Sequence, residues 1–188
     1  LGPVYAGPTS GGAWTRVGLD GEGQSYNEGA PFWNPVAGQM FAIAGYGLSA
    51  FKTTLHAYDG SNFQVIGTSG SVPDGRFGPD VALDEVGHTA YFAGRSLGAA
   101  GLADDLYSLD LDTYVFTQLL ATGDPGTIDR VETGMTYVTD LNALYRFGGY
   151  FTDNSGFSDA LARLDPSAVP VSWESVAFAT DVPSPPAR

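Results

Sequence analysis

One pattern recurs three times along the chain and limits what it can fold into. Phe41-Ala42-Ile43-Ala44-Gly45, Tyr91-Phe92-Ala93-Gly94 and Leu144-Tyr145-Arg146-Phe147-Gly148-Gly149 are largely apolar runs that end in small residues. Each is followed by a polar, Gly-rich stretch and then by a second pattern. These are Leu55-His56-Ala57-Tyr58-Asp59, Leu106-Tyr107-Ser108-Leu109-Asp110 and Leu161-Ala162-Arg163-Leu164-Asp165. After each Asp come a turn and an aromatic with an aliphatic three residues on: Phe63 with Ile66, Phe116 with Leu119, Trp173 with Val176. Trp14 with Val17 is a fourth copy without a complete unit before it. The aromatic markers Trp14, Phe63, Phe116 and Trp173 are 49, 53 and 57 residues apart. From the first three markers to Gly45, Gly94 and Gly149 the separations are 31, 31 and 33. Self-similarity at such a period marks one supersecondary unit, repeated, that buries its apolar face against its neighbours.

Composition narrows the unit to β-structure. Gly 26 and Pro 12 interrupt the chain too often for long helices, and charged residues are only 15% while aromatics reach 13%. That excludes a disordered tail, a coiled coil and, with no Gly-X-Y period, collagen. Each unit has room for four short strands; in the second they fall at roughly 77–83, 89–94, 105–110 and 114–119. Four antiparallel strands per unit of about 50 residues match a propeller blade. Small residues at the end of strand two let backbones approach near a tapering axis. The strand-four aromatic fills space between sheets, and the Asp after strand three caps the next turn.

Apolar–apolar–Gly-Gly, a loop, Leu–x–x–x–Asp and then Trp–x–x–aliphatic resembles the kelch repeat. The third unit, with Gly148-Gly149, Leu161 to Asp165 and Trp173, is the nearest match; the others carry Ala93-Gly94 with Phe116 and Ala44-Gly45 with Phe63. The resemblance implies an all-β, kelch-type β-propeller. Residues 1–17 read as the end of a partial blade. Residues 18–67, 68–121 and 122–177 read as three blades, and 178–188 as the start of a further blade or a linker. Family rings usually have six or seven blades, so the chain reads as a fragment or one chain of a larger protein. The remaining blades then come from the same polypeptide or a second chain.

In antiparallel blades the two–three and four–one loops lie at one end and the one–two and three–four turns at the other, and the first set is the longer here. Loops held on a rigid scaffold are where binding sits. That places Tyr46, Phe51, Lys52, Arg95, Tyr150 and Phe151 in the candidate binding face, with Arg76 and Arg130 at the channel mouth. Chemistry is sparse elsewhere. His56 and His88 share no ligand spacing, and the oxygens of Asp153 to Asp159 do not follow the EF-hand order. There is no nucleophile elbow and no phosphate loop. The chain has no Cys, so it cannot supply the thioether-linked cofactor of kelch-type copper oxidases, and no metal or cofactor is expected.

Acidic residues number 21 against 8 basic, a net charge of −13. Such a surface repels nucleic acid and anionic membranes. The longest apolar run, Met40 to Ala44, is far short of a bilayer span of about 20 residues. The acidic, lysine-poor composition suits an extracellular or secreted protein. The function expected is a non-enzymatic protein–protein binding or scaffolding module. The alternative is a carbohydrate-active or carbohydrate-binding propeller, oxidase- or isomerase-like or adhesive, with a glycan as ligand.

Overall fold

The structure is a computed structural model that describes residues 4–6, 15–18, 29–46, 51–75, 78–96, 103–123, 130–131, 133–151 and 156–177. Among them the one helical segment is a 3-10 turn at Thr139–Leu141; all other regular structure is β-strand. The fold is therefore all-β, as the composition implies.

Strands β1 (Val4–Ala6) and β2 (Thr15–Gly18) pair as a ribbon. The first sheet follows: β3 (Ala30–Asn34), β4 (Gln39–Tyr46), β5 (Phe51–Tyr58) and β6 (Phe63–Ile66), antiparallel and in chain order. After the short β7 (Ser69–Gly70) come β8 (Asp80–Asp84) and β9 (Thr89–Ala93). A ribbon of β10 (Arg95–Ser96) and β11 (Ala103–Asp104) precedes β12 (Leu106–Asp110) and β13 (Val115–Leu119). Strands β8, β9, β12 and β13 form the second sheet. The third has β15 (Gly134–Val138), β16 (Ala143–Phe147), β18 (Leu161–Leu164) and β19 (Trp173–Val176). Two short strands, β14 (Arg130–Val131) and β17 (Tyr150–Phe151), pair beside it. The four strands expected in the second unit are all present, with boundaries moved by at most three residues.

The register makes the three sheets superposable position by position. Their first turns close on Asn34 and Gln39, Asp84 and Thr89, and Val138 and Ala143. Phe41, Tyr91 and Tyr145 are therefore equivalent, and so are Ile43, Ala93 and Phe147. The next residues are Ala44, Gly94 and Gly148. Gly94, matched in sequence with Gly45 and Gly149, thus corresponds to Gly148, one position earlier.

Side chains alternate between sheet faces, and the alternation decides the packing. Phe32, Phe41, Ile43, Leu55 and Ala57 point from the first sheet toward the second. They meet Ala90, Phe92, Tyr107, Leu109 and Phe116, with Phe32 edge-on to Phe92 at 5.6 Å. The intervening residues of the second sheet, Ala82, Tyr91, Ala93 and Leu106, point the other way, onto Leu144 and Leu164 of the third. Met135, Tyr137 and Trp173 pack against that cluster. Strand β9 is consequently buried from Ala90 to Ala93 without a break, because both of its faces are interfaces. Each large side chain so enclosed contributes about 1.5–3 kcal/mol. Each sheet thus has a leading face, turned to the next sheet, and a trailing face, turned to the previous one. The marker aromatics Phe63, Phe116 and Trp173 all sit on trailing faces, opposite Tyr58, Leu109 and Leu164.

Backbone stitches join successive sheets at their outer edges. Beyond β6, β7 runs parallel to β13: the Ser69 amide donates to the Tyr114 carbonyl at 3.2 Å and the Ser71 amide to the Phe116 carbonyl at 2.8 Å. Beyond β13, Thr122 bridges Ser172 in parallel, exchanging bonds with Val171 and Trp173 at 2.9 Å. Gly70 and Gly123, each seven residues past the marker aromatic, have φ of +80° and +66°. A Cβ on Gly70 would overlap the Phe116 carbonyl oxygen, and one on Gly123 would lie 2.9 Å from the Trp173 carbonyl oxygen. Only glycine meets both demands cheaply.

One end of each sheet is closed by carboxylate-capped turns. Oδ1 of Asp59 accepts from the Ser61 and Asn62 amides, that of Asp110 from Asp112 and Thr113, and that of Asp165 from Ser167. The expected cap after strand three is thus present in all three sheets. Asn34 and Asp84 cap the first turns in the same way. These bonds hold three carboxyls below their ordinary value of 3.8. The donors are first the Asn62 amide for Asp59, the Thr113 amide for Asp110 and the Ser167 hydroxyl for Asp165. A depressed folded pKa gives stability that is present at neutral pH and lost as pH falls through the folded value. Thermal unfolding followed from pH 7 to pH 2 should show this loss below about pH 4. Asp→Asn at 59, 110 and 165 together keeps an acceptor but neither the charge nor the titration, so it should lower the neutral melting temperature and flatten the acid limb, the two curves converging as pH falls to 2.

Candidate functional site

The loops between strands two and three lie at one end of all three sheets, and short backbone pairings organise them. In the first sheet the β4–β5 hairpin continues outward, pairing Gly45 with Lys52 and Tyr46 with Phe51. In the second, Arg95 pairs with Asp104. In the third, β17 turns to β14 instead, so Phe151 pairs with Arg130 and Tyr150 with Val131. Of the expected binding residues, Tyr46, Phe51 and Lys52 share one ribbon, and Arg95 lies in a second. Tyr150 and Phe151 share a third with Arg130, which the sequence assigned to the channel mouth. Arg76 and Trp14 lie outside the described residues. Three of the chain's eight basic residues, Lys52, Arg95 and Arg130, are in these ribbons. The strand-four-to-one loops, expected at the same end, are spent in part on the stitches at Ser69–Gly70 and Thr122.

Close to this end, between the second and third sheets, lies a buried polar cluster that sequence reasoning missed. Arg146 on β16 is 1% exposed. Its Nε donates to Asp80 Oδ2 at 3.2 Å and to Thr133 Oγ1 at 2.8 Å, and the Thr133 hydroxyl donates to Asp80. At the equivalent positions of the first interface stand Ala30 and Phe92, an apolar pair. A charged residue inside an apolar strand requires a buried partner, so Arg146 was itself the signal. The cluster marks the second interface chemically and joins β8, Thr133 and β16 beneath the loops.

At the capped-turn end, Tyr91 stacks on Tyr137 with ring centroids 5.6 Å apart. The Tyr137 hydroxyl donates to Asn142 Oδ1 at 2.7 Å, and Asn142 Nδ2 donates to Asp165 and Ser167 at 3.0 and 2.8 Å. Burial, then the neighbouring Tyr137, pushes Tyr91 up to about 12. Burial followed by Asp84 also raises Tyr137. Both phenols are held in the protonated form, and this network ties the turns together. A shallow cleft of about 260 Å³ opens on the third sheet, lined by Arg163, Asp165, Ala168, Pro170, Ser172 and Glu174.

The histidines are apart. His56 is buried on β5 with its ring edge-on to Phe63, whereas His88 is exposed and pairs with Asp112 at 3.0 Å. Among the described residues, no group of three His, Asp or Glu side chains could hold a metal ion. No protein-family model matches the chain, and no curated protein matches it significantly.

Arg146→Phe alone leaves Asp80 buried without its guanidinium and should cost about 3–5 kcal/mol. Adding Asp80→Ala recreates the Ala30–Phe92 pairing of the first interface and should recover most of that loss in urea unfolding. No recovery would mean that the two interfaces are not equivalent.

Proposed function

We propose that the three sheets are consecutive blades of a kelch-type β-propeller, part of a six- or seven-bladed ring. We further propose that the chain serves as a non-enzymatic protein-binding or scaffolding module through the loop end. The observation that carries this reading is the grouping of Tyr46, Phe51, Lys52, Arg95, Arg130, Tyr150 and Phe151 in three short ribbons at one end of a rigid stack. Tyr, Phe and Arg are the residues enriched in interface cores. The acidic remainder of the surface favours a partner whose flanking surface is basic, and it speeds the encounter more than it tightens the complex. The propeller itself is supported by the repeated leading-to-trailing stacking and by first strands that lie next to one another from sheet to sheet, β3 beside β8 and β8 beside β15.

The test compares proteins retained from an extract of the source cells by the wild-type chain and by a Lys52→Glu, Arg95→Glu, Arg130→Glu variant of unchanged circular dichroism. A partner held by the wild type and lost by the variant, more weakly bound as salt rises, is expected. An identical retained set would overturn the assignment of the loop end. Selective glycan binding lost on Tyr150→Ala would replace the protein partner with a carbohydrate.

A further inference from the structure

The first turn of each sheet carries an exposed aliphatic side chain at its tip. Asn34 to Gln39, Asp84 to Thr89 and Val138 to Ala143 are equivalent turns. Within them Val36 is 41%, Val86 78% and Leu141 53% exposed. Val36 and Val86 stand at the same place, and Leu141 stands one residue later, in the 3-10 turn. Gly, Asn, Asp and Ser are the residues that turn chemistry favours, whereas a β-branched Val prefers a strand. One exposed aliphatic needs no explanation. Its return in three successive turns, against the local preference, does. The tips are also held in place. The Val36 amide donates to Asn34 Oδ1 at 2.9 Å and the Val86 amide to Asp84 Oδ1 at 3.2 Å. The Asn142 amide closes the third turn on the Thr139 carbonyl at 3.1 Å. Because β3 lies beside β8 and β8 beside β15, the three tips follow one another along one end of the stack.

Negative charge surrounds them. The four strands of each sheet run antiparallel in chain order, so the three–four turns close at the same end as the first turns. Glu85 and Asp140 stand next to Val86 and Leu141, and Asp59, Asp110 and Asp112 are exposed on the three–four turns. Among the described residues the basic groups at this end are His88, paired with Asp112, and Arg163, whose charge acts on Asp165. Lys52, Arg95 and Arg130 are in the loop ribbons, at the other end of the strands.

We propose that the capped-turn end is a second docking surface and that its occupant is a cationic, amphipathic segment of a partner protein. The apolar side chains of the segment rest on Val36, Val86 and Leu141, and its Lys or Arg side chains lie over Glu85, Asp140 and the carboxylates of the three–four turns. Burial of the aliphatic tips supplies the attraction. The carboxylates steer the encounter and repel anionic surfaces such as nucleic acid or acidic lipid. Tips already fixed by their turns lose little freedom on binding. This surface is separate from the loop end and does not depend on partner binding there.

Fluorescence anisotropy tests it with two labelled peptides of equal charge, an amphipathic one of Leu and Lys and one in which Ser replaces every Leu. The wild-type chain should bind the Leu–Lys peptide at least about tenfold more tightly than the Ser–Lys peptide. Val36→Ser, Val86→Ser and Leu141→Ser together, checked for native circular dichroism, should abolish that preference. Glu85→Gln with Asp140→Asn should weaken binding and lessen its dependence on salt. The Lys52→Glu, Arg95→Glu, Arg130→Glu variant should bind at least as tightly as the wild type. Equal affinity of the wild type for the two peptides overturns the inference, and so does a triple Ser variant that keeps the preference. Loss of binding in the loop-end variant also overturns it, because the peptide would then sit at the other end.

Discussion

The rest of the described structure depends on one arrangement: the leading faces of the first and second four-stranded sheets are each completed by the trailing face of the next. A single antiparallel sheet of four short strands buries apolar residues on one side at most. The second sheet buries both, and its strand two is accordingly closed from Ala90 to Ala93. The alternation of side chains sends Phe92 to one neighbour and Tyr91 to the other, so one strand serves two cores. The order of the chain follows from that economy, since each new sheet finishes the one before it.

Three devices hold the stack in register. The stitches fix each outer edge to the next by backbone bonds that do not depend on side-chain identity, except that Gly70 and Gly123 must remain glycine. The capped turns close one end of the sheets, with Asn34, Asp59, Asp84, Asp110 and Asp165 tying down amides that strand pairing leaves over. The Asp80–Thr133–Arg146 cluster distinguishes the second interface from the first. A buried pair of this kind adds little net stability over an apolar pair but penalises a wrong neighbour, in which one charge would be left alone.

The repeat, its four strands and the role of Asp59, Asp110 and Asp165 were legible in the sequence because each rests on a local pattern. Alternating apolar residues and an Asp before a turn act over a few residues. What was not legible acts between units. Gly70 and Gly123 share an offset from Phe63 and Phe116, and Gly21 has the same offset from Trp14. The offset is visible along the chain, yet its reason lies in the outer strand of the next sheet, at Phe116 for Gly70 and at Trp173 for Gly123. The alignment of Gly94 missed by one residue because the first turns, not the diglycine, set the register. Asp80 and Arg146 are 66 residues apart, and only the stacking brings them together. At the loop end, the sequence found the ribbons that carry Tyr46, Arg95 and Tyr150 but assigned Arg130 to a different place from its pairing partner Phe151.

Native-state hydrogen exchange tests the stacking most directly, because protection reports burial from both sides. The amides of β9 and β12, from Ala90 to Ala93 and from Leu106 to Leu109, should exchange most slowly in the chain. The amides of β18 and β19 should be distinctly faster, because the leading face of their sheet is open. Protection of β18 and β19 equal to that of β9 and β12, or three sheets that each exchange independently, would contradict the account.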